Sequence, residues 1–253
     1  MDAPRINAIA RSPPSVFARR GFLGVLTLDT RFPRLPGDIG NPMSFSVPTL
    51  TRVVRDTLPQ DAVQSAAGQL EADLFTPFSR AMRELEAMGA AAITTSCGFL
   101  VLMQERLQAQ ANVPVVTSSL LMLPALLEKH PRIGVLTISA ANLGEDYLAA
   151  AGVPASRMGD VLVEGVDPQG HFAQAFLGNR PGMDFARVRR DVLDAAKRLR
   201  ERDRDLTDVV LECTNMPPYA RGIEAATGLR CWSLLQSERL LAPLRRERAT
   251  VTG

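Results

Sequence analysis

Two of the three cysteines each close an apolar run: "AAITTSC" ends at Cys97 and "DVVLEC" ends at Cys213. A thiol at the carboxyl end of a strand, with a helix following, lies where that helix's dipole and free N–H groups favour the thiolate. This placement predicts a pKa below the ordinary value of about 8.5. Such a group can act as a base as well as a nucleophile. Two facing thiols suit one reaction in particular. A base on one face of an acidic carbon removes its proton, an acid on the other face returns one, and thiol and thiolate exchange those roles in the reverse direction. The third cysteine, Cys231, stands mid-strand at the position matched by Val115 and is read as a core residue.

The case for a facing pair rests on an internal repeat. "LGVLTLDT" at 23–30 reappears as "IGVLTISA" at 133–140, and the two cysteine-terminated strands follow in the same order. "VPVVTS" and "LRCWSL" then begin sixteen positions after Cys97 and Cys213 respectively, with Thr117 and Ser233 at the same offset. The repeat predicts a duplicated α/β unit with one cysteine at the same structural place in each half.

Strands are expected at 22–28, 91–95, 113–117, 133–138, 160–166, 208–211 and 229–234. Helices are expected at 62–88, 99–110, 142–151 and 185–202. In the last of these, Val188, Val192, Ala195, Ala196 and Leu199 share one side. Strand-helix alternation predicts two pseudo-symmetric lobes, Rossmann-like or flavodoxin-like, each a parallel sheet covered by helices, with the active site between them. The expected boundaries are a loose extension over 1–20, a first lobe of 21–118 plus 225–253, and a second lobe of 119–224. In such sheets ligands bind beyond the carboxyl ends of the strands, where Asp29, Thr30, Ser139 and both cysteines fall.

Composition narrows the function classes. Twenty-nine basic against twenty-seven acidic residues give a net charge of +2 without a basic face, which argues against nucleic acid. Three cysteines without a C-x-x-C pair or a Cys/His cluster point to a reducing compartment and no metal. "RRGFLGVLTL" at 19–28 has the paired arginines of an export signal, but its apolar stretch is short and ends at Asp29. No run reaches the ~20 residues of a membrane span, so a cytoplasmic protein without a membrane partner is expected. No G-x-G-x-x-G follows the first strand, which weakens nucleotide readings.

At "LDT" (28–30), "TSCGF" (95–99) and "ECTN" (212–215) the chain resembles the aspartate/glutamate/hydantoin racemase superfamily, from Gly21 onward. The resemblance implies a cofactor-independent isomerase using one cysteine from each of two lobes. It would act on an amino acid or related carboxylate, with Cys97 and Cys213 as the acid/base pair. Asp29, Thr30, Ser96, Gly98, Phe99 and Ser139 would line the site, Thr214 with Asn215 would hold a substrate carboxylate, and Tyr147 has a family counterpart. The chain departs from the family pattern where Gly98 and Phe99 replace the Asn-Thr that follows the first cysteine in amino-acid racemases. Asn215 likewise stands where glutamate racemases carry histidine. A decarboxylase or cis-trans isomerase of the same superfamily, or a non-catalytic binding protein on this fold, are the alternatives.

Three further residues are candidates. Arg31 or Arg34, on the proline-rich segment 31–42, could pair a substrate carboxylate. His171 falls at the cysteine end of the second sheet and could assist Cys213, whereas His130 falls at the opposite end. An exposed apolar face could support a homodimer.

Overall fold

The computed structural model describes residues 21–65 and 67–250; the expected loose extension over 1–20 lies outside the described residues. Two four-stranded parallel sheets form the frame. The first contains β1 (Phe22–Leu28), β2 (Thr49–Val54), β3 (Ala90–Thr95) and β4 (Val115–Val116), in the order β2-β1-β3-β4. The second contains β5 (Ile133–Thr137), β6 (Val161–Gly165), β7 (Asp208–Leu211) and β8 (Arg230–Trp232), in the order β6-β5-β7-β8. Replacing each strand of the first order by its counterpart four later yields the second, so the duplication read from the sequence is a duplication of topology.

The shared Gly-Val-Leu-Thr has a packing cause. β1 and β5 are central and buried along their whole lengths. Their glycines let a helix settle closely on the sheet. A Cβ on Gly24 would lie 2.9 Å from Leu85 of α2 (Ala67–Ala87), and one on Gly134 would lie 2.7 Å from Leu199 of α7 (Phe185–Arg202). Helix α7 buries Val188, Val192, Ala195, Ala196 and Leu199, as its periodicity predicts. It starts where the Asp184 carboxylate accepts from the N–H groups of Ala186 and Arg187.

Four features differ from expectation. β2 was not foreseen: it is an edge strand whose first five residues are half-buried or exposed, so it lacks an apolar run. The helix expected over 62–88 is two, because Ser65 adopts extended geometry (ψ 145°) and ends α1 (Pro59–Gln64). The helix expected over 99–110 begins as a 3-10 helix over Gly98–Met103 before α3 (Gln104–Gln110). Finally, β8 pairs with β7, so residues 230–232 belong to the second sheet rather than the first lobe. The chain returns to the first lobe only after β8, with α9 (Glu238–Thr250) packed against β3.

Candidate active site

Cys97 and Cys213 stand two residues beyond the ends of β3 and β7, strands that occupy equivalent places in the two sheets. The backbone around them is equivalent too. The residue before each cysteine donates its N–H to the matching leucine of the central strand: Ser96 to the Leu26 carbonyl and Glu212 to the Leu136 carbonyl, each at 2.9 Å. Both cysteines line one cleft, together with Thr30, Ser96, Gly98, Phe99, Thr214 and Asn215. The two cysteines expected to form a pair thus come to the same cleft.

The apolar side of the cleft comes from Leu28, Phe32, Phe99, Ile138, Phe176 and Leu177. The Phe176 ring meets Phe32 edge-on at 4.8 Å, and Tyr147 braces Phe99 from outside the lining at 5.1 Å. The polar side centres on Arg34, in the segment after β1. Its guanidinium pairs with Asp38 at 2.6 Å, donates to the Thr30 hydroxyl at 3.0 Å and reaches Ser96 Oγ at 3.4 Å. Asp38 is buried and accepts from Asn215 Nδ2 at 2.7 Å, while Asn215 Oδ1 faces Cys213 Sγ at 3.7 Å. The proline-rich segment therefore connects to Cys213 through Asp38 and Asn215, and to the Cys97 side through Arg34 and Ser96.

Thr214 and Asn215 are spent differently from the carboxylate-holding role expected of them. The Thr214 hydroxyl donates to the Ser96 carbonyl at 2.5 Å, and the Thr214 carbonyl accepts from the Ile39 N–H at 3.1 Å. Both residues fasten one lobe to the other.

Other candidates fall outside the cleft. Asp29 and Arg31 line a separate shallow groove, where Asn179 holds the Asp29 carbonyl and the Arg31 N–H. Ser139 turns toward another groove beside β6. His171 begins a short helix and contacts exposed Arg187 at 2.9 Å. His130 pairs with Asp208 at 3.3 Å, at the start of β7 and so at the far end of that strand from Cys213. Cys231 is buried on β8 with its thiol toward the Ala220 carbonyl.

Glu212 is the residue that the sequence reading passed over. It is fully buried and lines the cleft; its Oε2 accepts from Thr137 at 2.6 Å, and its Oε1 is buried without a partner. The signal was available, since a charged residue inside an apolar strand end is rare unless it is paired or functional. Gly98 makes room for it: a Cβ there would fall 2.2 Å from Glu212 Oε1 and 2.4 Å from the Glu212 carbonyl. The departure from the family pattern at Gly98 and the presence of Glu212 are therefore one steric fact.

The electrostatics reverse one expectation. Burial pushes the Cys97 thiol up to about 12, with Glu212 adding to the rise; the N–H groups of Phe99 and Leu100, and then Arg34, act against it. Cys213 is raised well above the ordinary thiol range by burial and then Glu212, with Cys97 and Asp38 adding and the Asn215 N–H acting against the rise. The helix-terminal lowering expected for both thiols is present, but desolvation outweighs it. Glu212 itself is raised to about 8 by burial, against the hydrogen bond from Thr137. Among the described residues, no three His, Cys, Asp or Glu side chains gather as a metal-binding set.

The two four-stranded α/β lobes and the cleft they share agree with the fold that the family resemblance implies. The Asp/Glu/Hydantoin racemase family model matches residues 48–236, and the chain belongs to that family. Its relatives include a dimethylsulfoniopropionate lyase of Durusdinium sp. clade D, 31% identical over 222 residues, covering 85% of this chain and 72% of the relative. Dimethylsulfoniopropionate lyase 7 of Emiliania huxleyi is 29% identical over 223 residues, and this chain spans 64% of its length. A glutamate racemase from Bacillus anthracis shares the fold with a TM-score of 0.58 at 15% identity, covering 92% of this chain and 82% of that one. A variant of arylmalonate decarboxylase does so with a TM-score of 0.56 at 14% identity, over 90% of this chain and 93% of its own. No described helix is long and apolar enough to cross a membrane.

Proposed function

We propose that the chain is a lyase that removes a proton α to a carboxylate and expels a leaving group from the β carbon. The observation that carries this reading is the inequality of the two thiols. A two-base racemase needs partners that exchange roles in the two directions, so their proton affinities must be comparable. Burial and Glu212 raise both thiols, but Arg34 reaches Ser96 beside Cys97 and, with two N–H groups, favours that thiolate, whereas Cys213 has one favouring N–H group, of Asn215, whose side chain is tied to Asp38. Cys97 is the base of a one-directional reaction.

The names of the curated relatives supply the substrate class, a β-sulfonio carboxylate such as dimethylsulfoniopropionate. The Cys97 thiolate takes the Cα proton and becomes a thiol. The C–H bonding pair becomes the Cα=Cβ double bond, and the Cβ–S pair leaves with the sulfur. Dimethyl sulfide and acrylate result, and the proton on Cys97 returns to solvent. The leaving group departs neutral, so Cys213 has no proton to give. Arg34, with Thr30 and Ser96, is the group placed to hold the substrate carboxylate.

Racemisation, the leading expectation from sequence, remains the second reading because both thiols line one cleft. One experiment separates the two. The protein is incubated in deuterated water with dimethylsulfoniopropionate, and separately with amino acids and 2-substituted acids. Dimethyl sulfide is followed by headspace gas chromatography, and the α-proton by NMR. Release of dimethyl sulfide supports the lyase; α-deuteration of an amino acid without any elimination sinks it and favours the racemase.

A further inference from the structure

We propose that Glu212 is a specificity-determining residue that recognises the cationic substituent of the substrate, making the cleft a site for zwitterions with a carboxylate at one end and an onium group at the other. The proposal rests on the elimination reading for the nature of that cation. Three observations support it.

First, Glu212 Oε1 is buried and unpartnered in a side chain whose other oxygen is held by Thr137, so the carboxyl group is fixed with one oxygen uncommitted. A buried polar atom left unsatisfied is costly unless a ligand or water completes it. Second, the same cleft is lined by the rings of Phe32, Phe99 and Phe176. Aromatic faces beside a carboxylate attract an onium ion, which has no N–H to donate and cannot be satisfied by ordinary acceptors alone. Third, the cleft's opposite charge lies on Arg34, which is anchored by Asp38 and reaches toward Ser96, the repeat equivalent of Glu212. One half-site therefore has a cation beside Ser96 and the other an acid at the matching position, a complement to a ligand that carries one charge of each sign.

The neutral form favoured by burial gives way when a cation arrives, because the incoming charge stabilises the carboxylate. Selectivity thus comes from a group that is costly to ionise in the empty cleft and cheaper to ionise against the right ligand. A neutral substituent of the same shape obtains the aromatic contact without the ionic one.

The test uses 3-(trimethylammonio)propanoate and its uncharged carbon isostere, 4,4-dimethylpentanoate, in calorimetric titrations at pH 8.5 with the wild type and with Glu212→Gln. The wild type is expected to bind the ammonium compound at least ~10-fold more tightly. In Glu212→Gln that preference is expected to shrink to about 2-fold or less, with affinity for the isostere changed less than about 3-fold. Equal binding of the two ligands by the wild type overturns the proposal and needs no variant to be folded. Failure of both to bind at 10 mM, or a preference retained in a folded Glu212→Gln, overturns it as well. Elimination assays on the same variants keep the two readings separate. With dimethylsulfoniopropionate, Glu212→Gln should raise KM by about 10-fold or more with a smaller change in kcat. A cation preference without dimethyl sulfide release would instead retain the binding role and remove the lyase.

Discussion

The two lobes present the same backbone to the cleft and opposite chemistry. Leu26 and Leu136 accept equivalent hydrogen bonds from Ser96 and Glu212, and the cysteines follow one residue later. Yet the first half-site meets Arg34, and the second meets Asp38, Asn215 and its own buried carboxyl group. A duplicated fold begins with two identical thiols, and symmetric acid/base chemistry is what that symmetry offers. The segment after β1, which pairs Arg34 with Asp38, breaks the symmetry by setting a positive group beside one thiol and a negative one beside the other. Under the proposed elimination, this loop distinguishes the two thiols, while Glu212 at the end of β7 raises both.

Cysteine substitutions test that inequality most severely. Cys97→Ala is expected to lower kcat for elimination by about 10³-fold or more, within the range for losing a general base. Cys213→Ala is expected to cost only about 10- to 100-fold, because it alters the wall of the cleft rather than the proton acceptor. Equal losses, measured by dimethyl sulfide release, would restore the symmetric picture.

Next in size is the loop itself. Asp38→Ala leaves a largely buried guanidinium and the Asn215 amide without their shared partner, and should destabilise the protein by about 3 kcal/mol in chemical denaturation. It should also bring the two thiols closer in proton affinity, since Asp38 raises Cys213 while Arg34 lowers Cys97. Reaction of each thiol with a small alkylating agent as a function of pH, in each single-cysteine background, would show whether the gap narrows.

Glu212 offers a pH test of the second half-site. Its folded pKa of about 8 lies above the ordinary value of 4.5, so the folded state holds this proton more tightly than the unfolded chain does. The sign follows directly: the contribution is fully present below about pH 4.5 and is lost as pH rises through about 8. Wild type minus Glu212→Gln should therefore show stability falling across that window, by up to about 5 kcal/mol. A flat difference between pH 5 and pH 8.5 would mean that the carboxyl group is not desolvated.

The sheets were legible because buried parallel strands announce themselves as apolar runs, and because the repeat supplied each half with a template. β1 and β7 fall on their expected residues, and Cys97 with Cys213 reach one cleft. β2 escaped because an edge strand needs no continuous apolar run. The repeat could have recovered it, since β6 follows β5 and a counterpart was due after β1. Asp38 was illegible, and Glu212 was marked only by its place at the end of an apolar strand, for a different reason. Their importance lies in burial and in partners from distant segments, as with Asn215 across 177 residues of sequence from Asp38. Residue type alone marks both as surface charges. The same limit misplaced Asp29 and Ser139, which sit at strand ends as expected but turn toward other grooves.

The smallest effect, and the finest test of how closely the lobes match, lies in the two glycines of the repeated strand. A methyl group on Gly24 would crowd one helix residue, Leu85, at 2.9 Å, with Ile93 next at 3.3 Å. On Gly134 it would meet Leu199 at 2.7 Å and Leu206 at 2.9 Å, side chains from a helix and from the segment following it. One flexible leucine can rotate away more easily than two can move together in a close-packed interior. Gly134→Ala should therefore cost about 2–3 kcal/mol and Gly24→Ala about 1–2 kcal/mol, read as a difference between their denaturant midpoints at unchanged m value. Equal costs would mean that the second lobe relaxes as readily as the first, and that their asymmetry is confined to the cleft.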